Sequence, residues 1–334
     1  MDGLEVLPVR GIGDISAGDD LADIIVEAAP WLADGDVLVV TSKIVSKAEG
    51  RLVEVPSDGP ERDEARARML AAETAEVVAR RGTITIVRTH HGFTMLGAGI
   101  DASNVDKARL VLLPLSPDAS AAALRKAFRA KGLNVGVIVS DTSGRPWRIG
   151  LTDLALGSAG VRPLRDHRGE VDPYGNELQF ARMAVVDELA AAAELVKGKR
   201  DQVPVAVIRG FPAGDLGEYE GVSALLRDPA DDMFSMGVAD TLRGAARMAD
   251  AAPAMIVDAA AVLRALDTVG GHLDAGTRVR VELLESRLIL TTETPTPDAF
   301  IRLGIDAHRL RVALAAEKVG SRLKLRDHSL ILEL

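Results

Sequence analysis

No cysteine occurs among the 334 residues. Its absence excludes disulfides, zinc–thiolate sites, iron–sulfur clusters and cysteine nucleophiles. Aromatic residues are also scarce, at 3% of the chain. With abundant alanine, this composition favours helices that pack closely through small side chains against short, β-branched strands. We therefore expect a mixed α and β protein.

Excess positive charge and long apolar runs are missing as well. The formal net charge is −9, which argues against a nucleic-acid partner, since binding to a phosphate backbone needs a basic face. No stretch reaches the roughly 18 consecutive apolar residues of a membrane helix, so no membrane partner is predicted. The first residues, Met1 to Glu5, show no apolar run typical of a signal sequence. We expect a cytoplasmic protein.

Several common catalytic motifs are absent too. The chain has no GxxxxGK[ST] phosphate loop, no GxSxG elbow and no HExxH pair, which argues against P-loop enzymes, serine hydrolases and histidine metal sites. Gly97-Ala98-Gly99 begins like a dinucleotide fingerprint but lacks the later glycine. These glycines are more simply explained by a tight turn.

The periodicity of apolar residues predicts alternating helices and strands. We predict an α+β domain over residues 1–247 and a small α+β appendage over 253–334, with the boundary near residue 250, where Ala-Ala-Pro follows a helical stretch. Helices are predicted over 21–32, 61–81, 120–129, 185–196, 257–267 and 306–317. The corresponding strands are predicted over 37–40, 83–87, 110–115, 135–140, 205–208, 278–283, 288–292 and 329–334. Asp118 or Ser120 is the expected cap of the helix over 120–129.

Two loops carry the residue types of an oxygen-ligand metal site. Asp101 lies in the loop 99–104 and Asp141 in the loop 140–145, each beside hydroxyl or amide groups that suit a hard divalent cation. Two such loops that meet would form a phosphate–metal site. The alternative is that both aspartates are ordinary turn or cap residues, and the pattern alone leaves both open.

Basic residues follow the strand over 37–40. The segment 41–51 holds hydroxyls and up to three cations, which can bind phosphate groups or can form a solvated strand end. A second short basic run covers 197–200 and is adequate to steer one polyphosphate.

Five motifs together resemble one family. They are GDVLVVTSKIVSKAEGR at 35–51, AGIDASNVD at 98–106, LSPDASAAALR at 115–125, VSDTSGRPWRIG at 139–150 and DPYGNEL at 172–178. In this order they resemble the coenzyme F420-0:gamma-glutamyl ligase family over roughly residues 4–245. The resemblance implies the mixed-sheet fold of that family, a homodimer, and a GTP-dependent ligase that joins L-glutamate to the deazaflavin coenzyme precursor F420-0. The tail is too short for the flavin-binding domain of related two-domain enzymes, so FMN is not implied.

The resemblance also implies a set of ligands for this sequence. Two divalent cations, Mg or Mn, and a potassium ion would assist GTP, with Asp101 and Asp141 on the first metal and Thr142 on the second. The implied nucleotide contacts are Ile12, Gly13, Asp14, Ile15, Ser42, Lys47, Asn104, Lys197, Gly198, Lys199, Arg200, Asp201, Gln202 and Val203. Some family members carry a glutamate for the second metal where this chain has Lys199.

The chemistry of the reaction adds further candidates. Phosphoryl transfer to a carboxylate brings several negative charges together, so acidic metal ligands beside lysines suit it. We expect Asp101 and Asp141 to be catalytic together with Arg145, and Arg145, Arg148 and Tyr174 to hold the acceptor. The alternative function is a nucleotide-binding module without ligase activity, in which the tail docks a partner.

Overall fold

The computed structural model describes residues 3–102, 106–198, 201–212, 216–228, 231–232 and 257–334. The chain divides into two compact units, residues 1–233 and 234–334. The boundary expected near residue 250 falls within 233–256, outside the described residues, so the domain bounds 1–247 and 253–334 stay predictions. Helices and strands occur in both units, which confirms the α+β class.

The first unit contains twelve strands and five helices in the described residues. In chain order they are β1 (Glu5–Val9), α1 (Leu21–Ala28), β2 (Val37–Thr41), α2 (Ser42–Ala48), β3 (Leu52–Glu54), α3 (Gly59–Ala72), β4 (Thr74–Arg81), β5 (Ile84–Thr89), β6 (Thr94–Leu96), β7 (Arg109–Val111), α4 (Pro117–Ala130), β8 (Gly136–Arg145), β9 (Arg148–Ala159), β10 (Leu164–Asp166), β11 (Arg182–Ala184), α5 (Val185–Lys197) and β12 (Val205–Arg209).

A five-stranded sheet forms the centre of this unit, in the order β1-β12-β2-β8-β9. Leu38 and Val40 of β2 pack with Phe128 of α4 on one face. Val39 packs with Leu189 of α5 on the other face. Since helices cover both faces, every side chain of the strand except its last is buried. This explains why β2 is a continuous apolar run instead of an alternating one.

The two central strands decide where polar side chains meet. β2 and β8 are parallel, and Thr41 is paired with Ser140. Both strands therefore reach the same edge of the sheet with their carboxyl ends, which is where open α/β sheets bind ligands. The polar residues that follow each strand, at 41–51 and 140–145, are brought together at this edge.

β8 and β9 continue beyond the sheet as a long antiparallel hairpin. Their pairing runs from Val137 opposite Ala159 to Arg145 opposite Arg148, with register shifts after Val139 and Gly144. Near the tip, Trp147 is 82% exposed and the Ile149 side chain is fully exposed. The hairpin thus presents apolar side chains outside the core.

The second unit has its own core. Its elements within residues 257–334 are α6 (Ala259–Gly270), β13 (Thr277–Glu282), β14 (Arg287–Thr292), α7 (Pro297–Ala316), β15 (Arg322–Arg326) and β16 (Ser329–Glu333). The strands form an antiparallel sheet in the order β13-β14-β16-β15. Leu288 and Leu332 of this sheet pack against Leu303 and Leu310 of α7. In the part of the chain that the structure describes, no helix is long and apolar enough to cross a membrane.

Several local predictions were wrong. The helix predicted over 306–317 begins at Pro297, and the strand predicted over 110–115 ends at Val111. Of the helix predicted over 61–81, only 61–72 is helical, as part of α3, and 74–81 form β4. Pairing with β5 overrides the helical propensity of this charged, alanine-containing segment. The helix over 120–129 begins earlier, at Pro117, with Ser116 at its cap position. The Asp118 carboxylate instead accepts hydrogen bonds from the N–H groups of Ser158 and Val222, which ties β9 and the short turn at Val222–Leu225 to α4.

Candidate active site

A cleft of about 1060 Å³ opens at the carboxyl edge of β2 and β8. Its wall combines segments that are far apart in the sequence. The lining residues include Ile12, Gly13, Asp14, Ile15, Thr41, Lys43, Lys47, Met95, Leu96, Asp101, Asp106, Arg109, Asp141, Thr142, Leu151, Asp153, Glu194, Lys197, Gly198, Gln202 and Val203. Acidic, basic and apolar side chains therefore share one concave surface.

Helix α2 presents two lysines to this cleft. The Lys43 ammonium lies 2.6 Å from Oδ2 of Asp101, and the Lys47 ammonium lies 3.8 Å from Oδ1 of Asp14. The two lysines are four residues apart, so they lie on neighbouring turns of one face of the helix. An ammonium is a compact donor that can exchange a carboxylate for a phosphate oxygen.

The loop that carries Asp101 depends on two glycines. Gly97 and Gly99 have φ of +57° and +69°, which confirms the tight turn expected there. A Cβ at Gly99 would lie 2.8 Å from a methyl group of Leu113, whereas nothing lies within 4 Å of the corresponding position at Gly97. Glycine at 99 therefore lets the loop pack closely before Asp101 pairs with Val111.

Asp141 occupies an electrostatically unfavourable place. Burial, together with the negative charges of Asp153 and Asp101, raises the pKa of Asp141 to about 6. The N–H of Thr142, which donates to Oδ1 at 2.9 Å, and the charge of Lys43 oppose this rise. The ionised form of Asp141 is therefore disfavoured in the protein alone, and a bound cation would stabilise it.

Asp153 is the centre of a buried polar network. Its Oδ2 accepts hydrogen bonds from Ser140 at 2.9 Å and from the Lys197 ammonium at 2.7 Å, and its Oδ1 accepts one from the Thr142 hydroxyl at 2.8 Å. Burial by itself would raise the pKa of Asp153, but the charge of Lys197 and these hydrogen bonds lower it below its ordinary value. The carboxylate is therefore ionised and accepts from every partner named here.

The donor set fits the divalent cation that the resemblance implies. Asp101 and Asp141 offer carboxylate oxygens and Thr142 a hydroxyl, the hard ligands that Mg²⁺ and Mn²⁺ prefer. Within the described residues no three His, Cys, Asp or Glu side chains group closely enough to hold a metal by themselves. This suits Mg²⁺, which takes few carboxylates and fills its shell with water and phosphate oxygens.

Most of the predicted site residues lie in this cleft. Those that line it are Ile12, Gly13, Asp14, Ile15, Lys47, Asp101, Asp141, Thr142, Lys197, Gly198, Gln202 and Val203. Ser42 is buried at the start of α2, Arg145 and Arg148 lie on the β8–β9 hairpin, and Asp201 is exposed. Asn104, Lys199 and Arg200 lie outside the described residues. The ligands assigned to all of these residues stay predictions.

Sequence reasoning gave no individual role to five charged residues of the cleft: Lys43, Asp106, Arg109, Asp153 and Glu194. Lys43 stood inside a quoted motif, but its partner Asp101 is 58 positions away and only the fold joins them. Asp153 carried a readable signal, because a carboxylate inside the apolar segment Leu151 to Leu156 must be buried and therefore paired.

Comparison with known proteins places this site in a family. The family model for F420-0:Gamma-glutamyl ligase matches residues 11–210, well over half of the chain. The chain belongs to the F420-0:gamma-glutamyl ligase family. The matched range contains all the cleft residues named above. The resemblance stated from the five motifs is thereby confirmed.

Curated relatives agree with this assignment. The coenzyme F420:L-glutamate ligase of Methanothermobacter thermautotrophicus is 40% identical over 249 residues, which cover 70% of this chain and 99% of the relative. The proteins of the same name from Haloarcula marismortui and Halobacterium salinarum are 43% and 41% identical, over 69% and 72% of this chain. The match to M. thermautotrophicus uses nearly all of the relative, so the rest of this chain has no counterpart there.

Proposed function

We propose that this protein is a GTP-dependent ligase that adds L-glutamate to coenzyme F420-0 through an acyl-phosphate intermediate. Further γ-linked glutamates are possible products of the same chemistry. The proposal includes two divalent sites for Mg²⁺ or Mn²⁺, assistance by K⁺ and a homodimeric enzyme. It is supported by family membership and by the names of the relatives.

One observation carries the proposal: two carboxylates and two lysines face a single cleft. Asp101 and Asp141 line it beside Lys43 and Lys47. Transfer of a γ-phosphoryl group to a carboxylate brings the triphosphate and the acceptor, both negative, within bonding distance. Such a reaction needs cations at the phosphates, and both kinds of group that supply them are present here.

The residues of the cleft would act in the following way. A cation held by Asp101, Asp141 and Thr142 would neutralise charge on the phosphates of GTP. Lys43 and Lys47 would donate hydrogen bonds to phosphate oxygens, with Lys43 exchanging its contact with Asp101 for one with the nucleotide. The remaining nucleotide contacts proposed are those of the segments 12–15 and 198–203, most of whose described members line the same cleft.

Two bond exchanges follow from this placement. An acceptor carboxylate oxygen attacks the γ-phosphorus, the O–P bond forms and GDP leaves. The glutamate amine then attacks the acyl carbon, the C–N bond forms, inorganic phosphate leaves and the amine loses a proton. Water competes for the acyl phosphate, so the acceptor has to be held closely. We assign this task to Arg145, Arg148 and Tyr174.

The homodimer is supported by the β8–β9 hairpin. Trp147, Ile149 and Leu151 are 82%, 101% and 67% exposed, close together along one hairpin. Large apolar side chains concentrated at a surface are typical of a surface that another protein covers. A second copy of this chain is the proposed occupant.

Nucleotide turnover tests the proposal against its alternative, a nucleotide-binding module without ligase activity. We expect release of GDP and phosphate only when F420-0 and L-glutamate are both supplied with GTP, Mn²⁺ and K⁺. An Asp141→Asn variant serves as the inactive control. Binding of GTP without turnover under the same conditions would contradict the ligase and support the binding module.

A further inference from the structure

One buried ion pair forms part of the wall of the cleft. The Lys197 ammonium lies 2.7 Å from Oδ2 of Asp153, and the two side chains are 3% and 2% exposed. Lys197 is the last residue of α5 and Asp153 lies on β9, so the pair joins the end of a helix to the hairpin that carries Asp141. Removal of two charges from water is costly and requires complete pairing.

Lys197 is committed to protein groups. Its ammonium donates to the Ser140 hydroxyl at 2.8 Å and to Asp153, and the Glu194 carboxylate lies 3.7 Å away. A side chain so enclosed has little capacity for a phosphate. These contacts suit a side chain that holds Ser140 and Asp153 in place. The sequence had instead predicted that Lys197 contacts the nucleotide.

Asp153, held by Lys197, in turn fixes a side chain of the cleft. Its second oxygen accepts the hydroxyl proton of Thr142 at 2.8 Å, and Thr142 stands directly opposite Asp153 in the strand pairing. The hydrogen bond to Asp153 fixes the rotation of the Thr142 hydroxyl, and Thr142 lines the cleft. The N–H of Thr142 in turn donates to Asp141 at 2.9 Å, so the placement of Asp141 depends on the same residue.

We infer that Lys197 and Asp153 are positioning residues for the ligase, which orient Thr142 and Asp141 toward the cation and the nucleotide phosphates. The inference rests on the proposed function, since it assumes that this cleft binds a divalent cation. The oxygen ligands themselves are Asp141 and Thr142. The pair acts on Thr142 through the hydrogen bond that Asp153 accepts, and on Asp141 only indirectly, through the backbone N–H of Thr142.

Substitutions that keep size test the pair. Lys197→Met removes the charge and retains the length, and Asp153→Asn keeps the shape while removing the charge. Thr142→Val removes only the hydroxyl and leaves the ion pair in place, so it probes the same chain of contacts if a charge variant fails to fold. Arg209→Met is the matched control. It removes the half-buried partner of the buried Asp36, 2.7 Å away, at the opposite end of β2.

Two readouts separate positioning from a purely structural role. The first is Mn²⁺ affinity, measured by electron paramagnetic resonance of free Mn²⁺ without nucleotide. The second is the division of the kinetic effect between kcat and the KM for L-glutamate. We expect Lys197→Met, Asp153→Asn and Thr142→Val to weaken Mn²⁺ binding about 10- to 100-fold and to lower kcat similarly, with the KM for glutamate little changed.

The control sets the comparison. Arg209→Met should lose thermal stability, with the affinity for Mn²⁺ and kcat unchanged. If Lys197→Met and Asp153→Asn keep wild-type Mn²⁺ affinity and kcat while the wild-type protein forms glutamyl product, the positioning role is overturned and the ligase stands. If the wild-type protein forms no product, the proposed function is overturned, and Mn²⁺ affinity alone then decides whether the pair orients a metal site.

Discussion

Replacement of Asp141 by asparagine should stabilise the metal-free protein while it abolishes turnover. In the folded chain the pKa of Asp141 is raised from 3.8 to about 6 by burial and by the nearby charges of Asp153 and Asp101. Because folding favours the protonated form, the free energy of unfolding falls as pH rises from about 4 to about 6 and stays lower above that range. Asparagine has no charge to bury and should escape this loss.

The size of the effect follows from the same pKa. A difference of about 2 pH units corresponds to an upper bound of about 3 kcal/mol. Asp141 is only partly buried, so solvent screens its charge and we expect a gain of about 1–2 kcal/mol at pH 7.5. For a unit of this size that corresponds to a rise in Tm of about 2–8 °C.

Urea unfolding followed by tryptophan fluorescence measures this gain. Both tryptophans, Trp31 and Trp147, belong to the first unit, so the signal reports on the unit that holds the site. With EDTA present, the advantage of Asp141→Asn should vanish near pH 4 and be complete above pH 7. Asp166→Asn is a control of opposite sign, because hydrogen bonds from Arg168 hold the pKa of Asp166 well below its usual range. A variant that is less stable than wild type at pH 7.5 would refute the reasoning.

Three further predictions concern other parts of the site. Lys43→Met removes the ammonium that contacts Asp101. It should weaken GTP binding, measured by calorimetric titration, about 10-fold, because one charge-assisted hydrogen bond to phosphate is lost. Unchanged affinity would exclude Lys43 as a phosphate ligand. Gly99→Ala should lower the free energy of unfolding by about 2–3 kcal/mol and Gly97→Ala by about 1 kcal/mol. Both residues have positive φ, but only at 99 would the added Cβ clash with Leu113. Equal losses in urea unfolding would contradict the close packing at Gly99. Ile149→Ser should shift the mass seen by light scattering from dimer to monomer at micromolar concentration, and a dimer that persists would place the interface elsewhere.

The sequence predicted the central elements well because their signals are local. β2, α5 and β12 stand where apolar periodicity placed them, within one or two residues. The resemblance supplied the order of the motifs and so the meeting of the Asp101 and Asp141 loops. Both predictions depend only on short-range patterns or on the order of motifs shared with the family.

The parts that were missed depend on long-range pairing. Strand β4 has helical composition and becomes a strand because β5 offers it a partner. The short helix α2, which presents Lys43 and Lys47, follows β2 directly in a segment for which no helix was predicted. Asp153 acquires its role only when β9 folds back on β8 and α5 brings Lys197 to it. In none of these cases does one segment alone identify the partner.

The most direct test is mass spectrometry of F420-0 after incubation with the purified protein, GTP, L-glutamate, Mn²⁺ and K⁺. The account predicts new species heavier than F420-0 by one or more glutamyl residues, formed by wild type and Arg209→Met and absent with Asp141→Asn. An unchanged precursor, with GTP binding confirmed in the same sample, would contradict the ligase and favour a nucleotide-binding module.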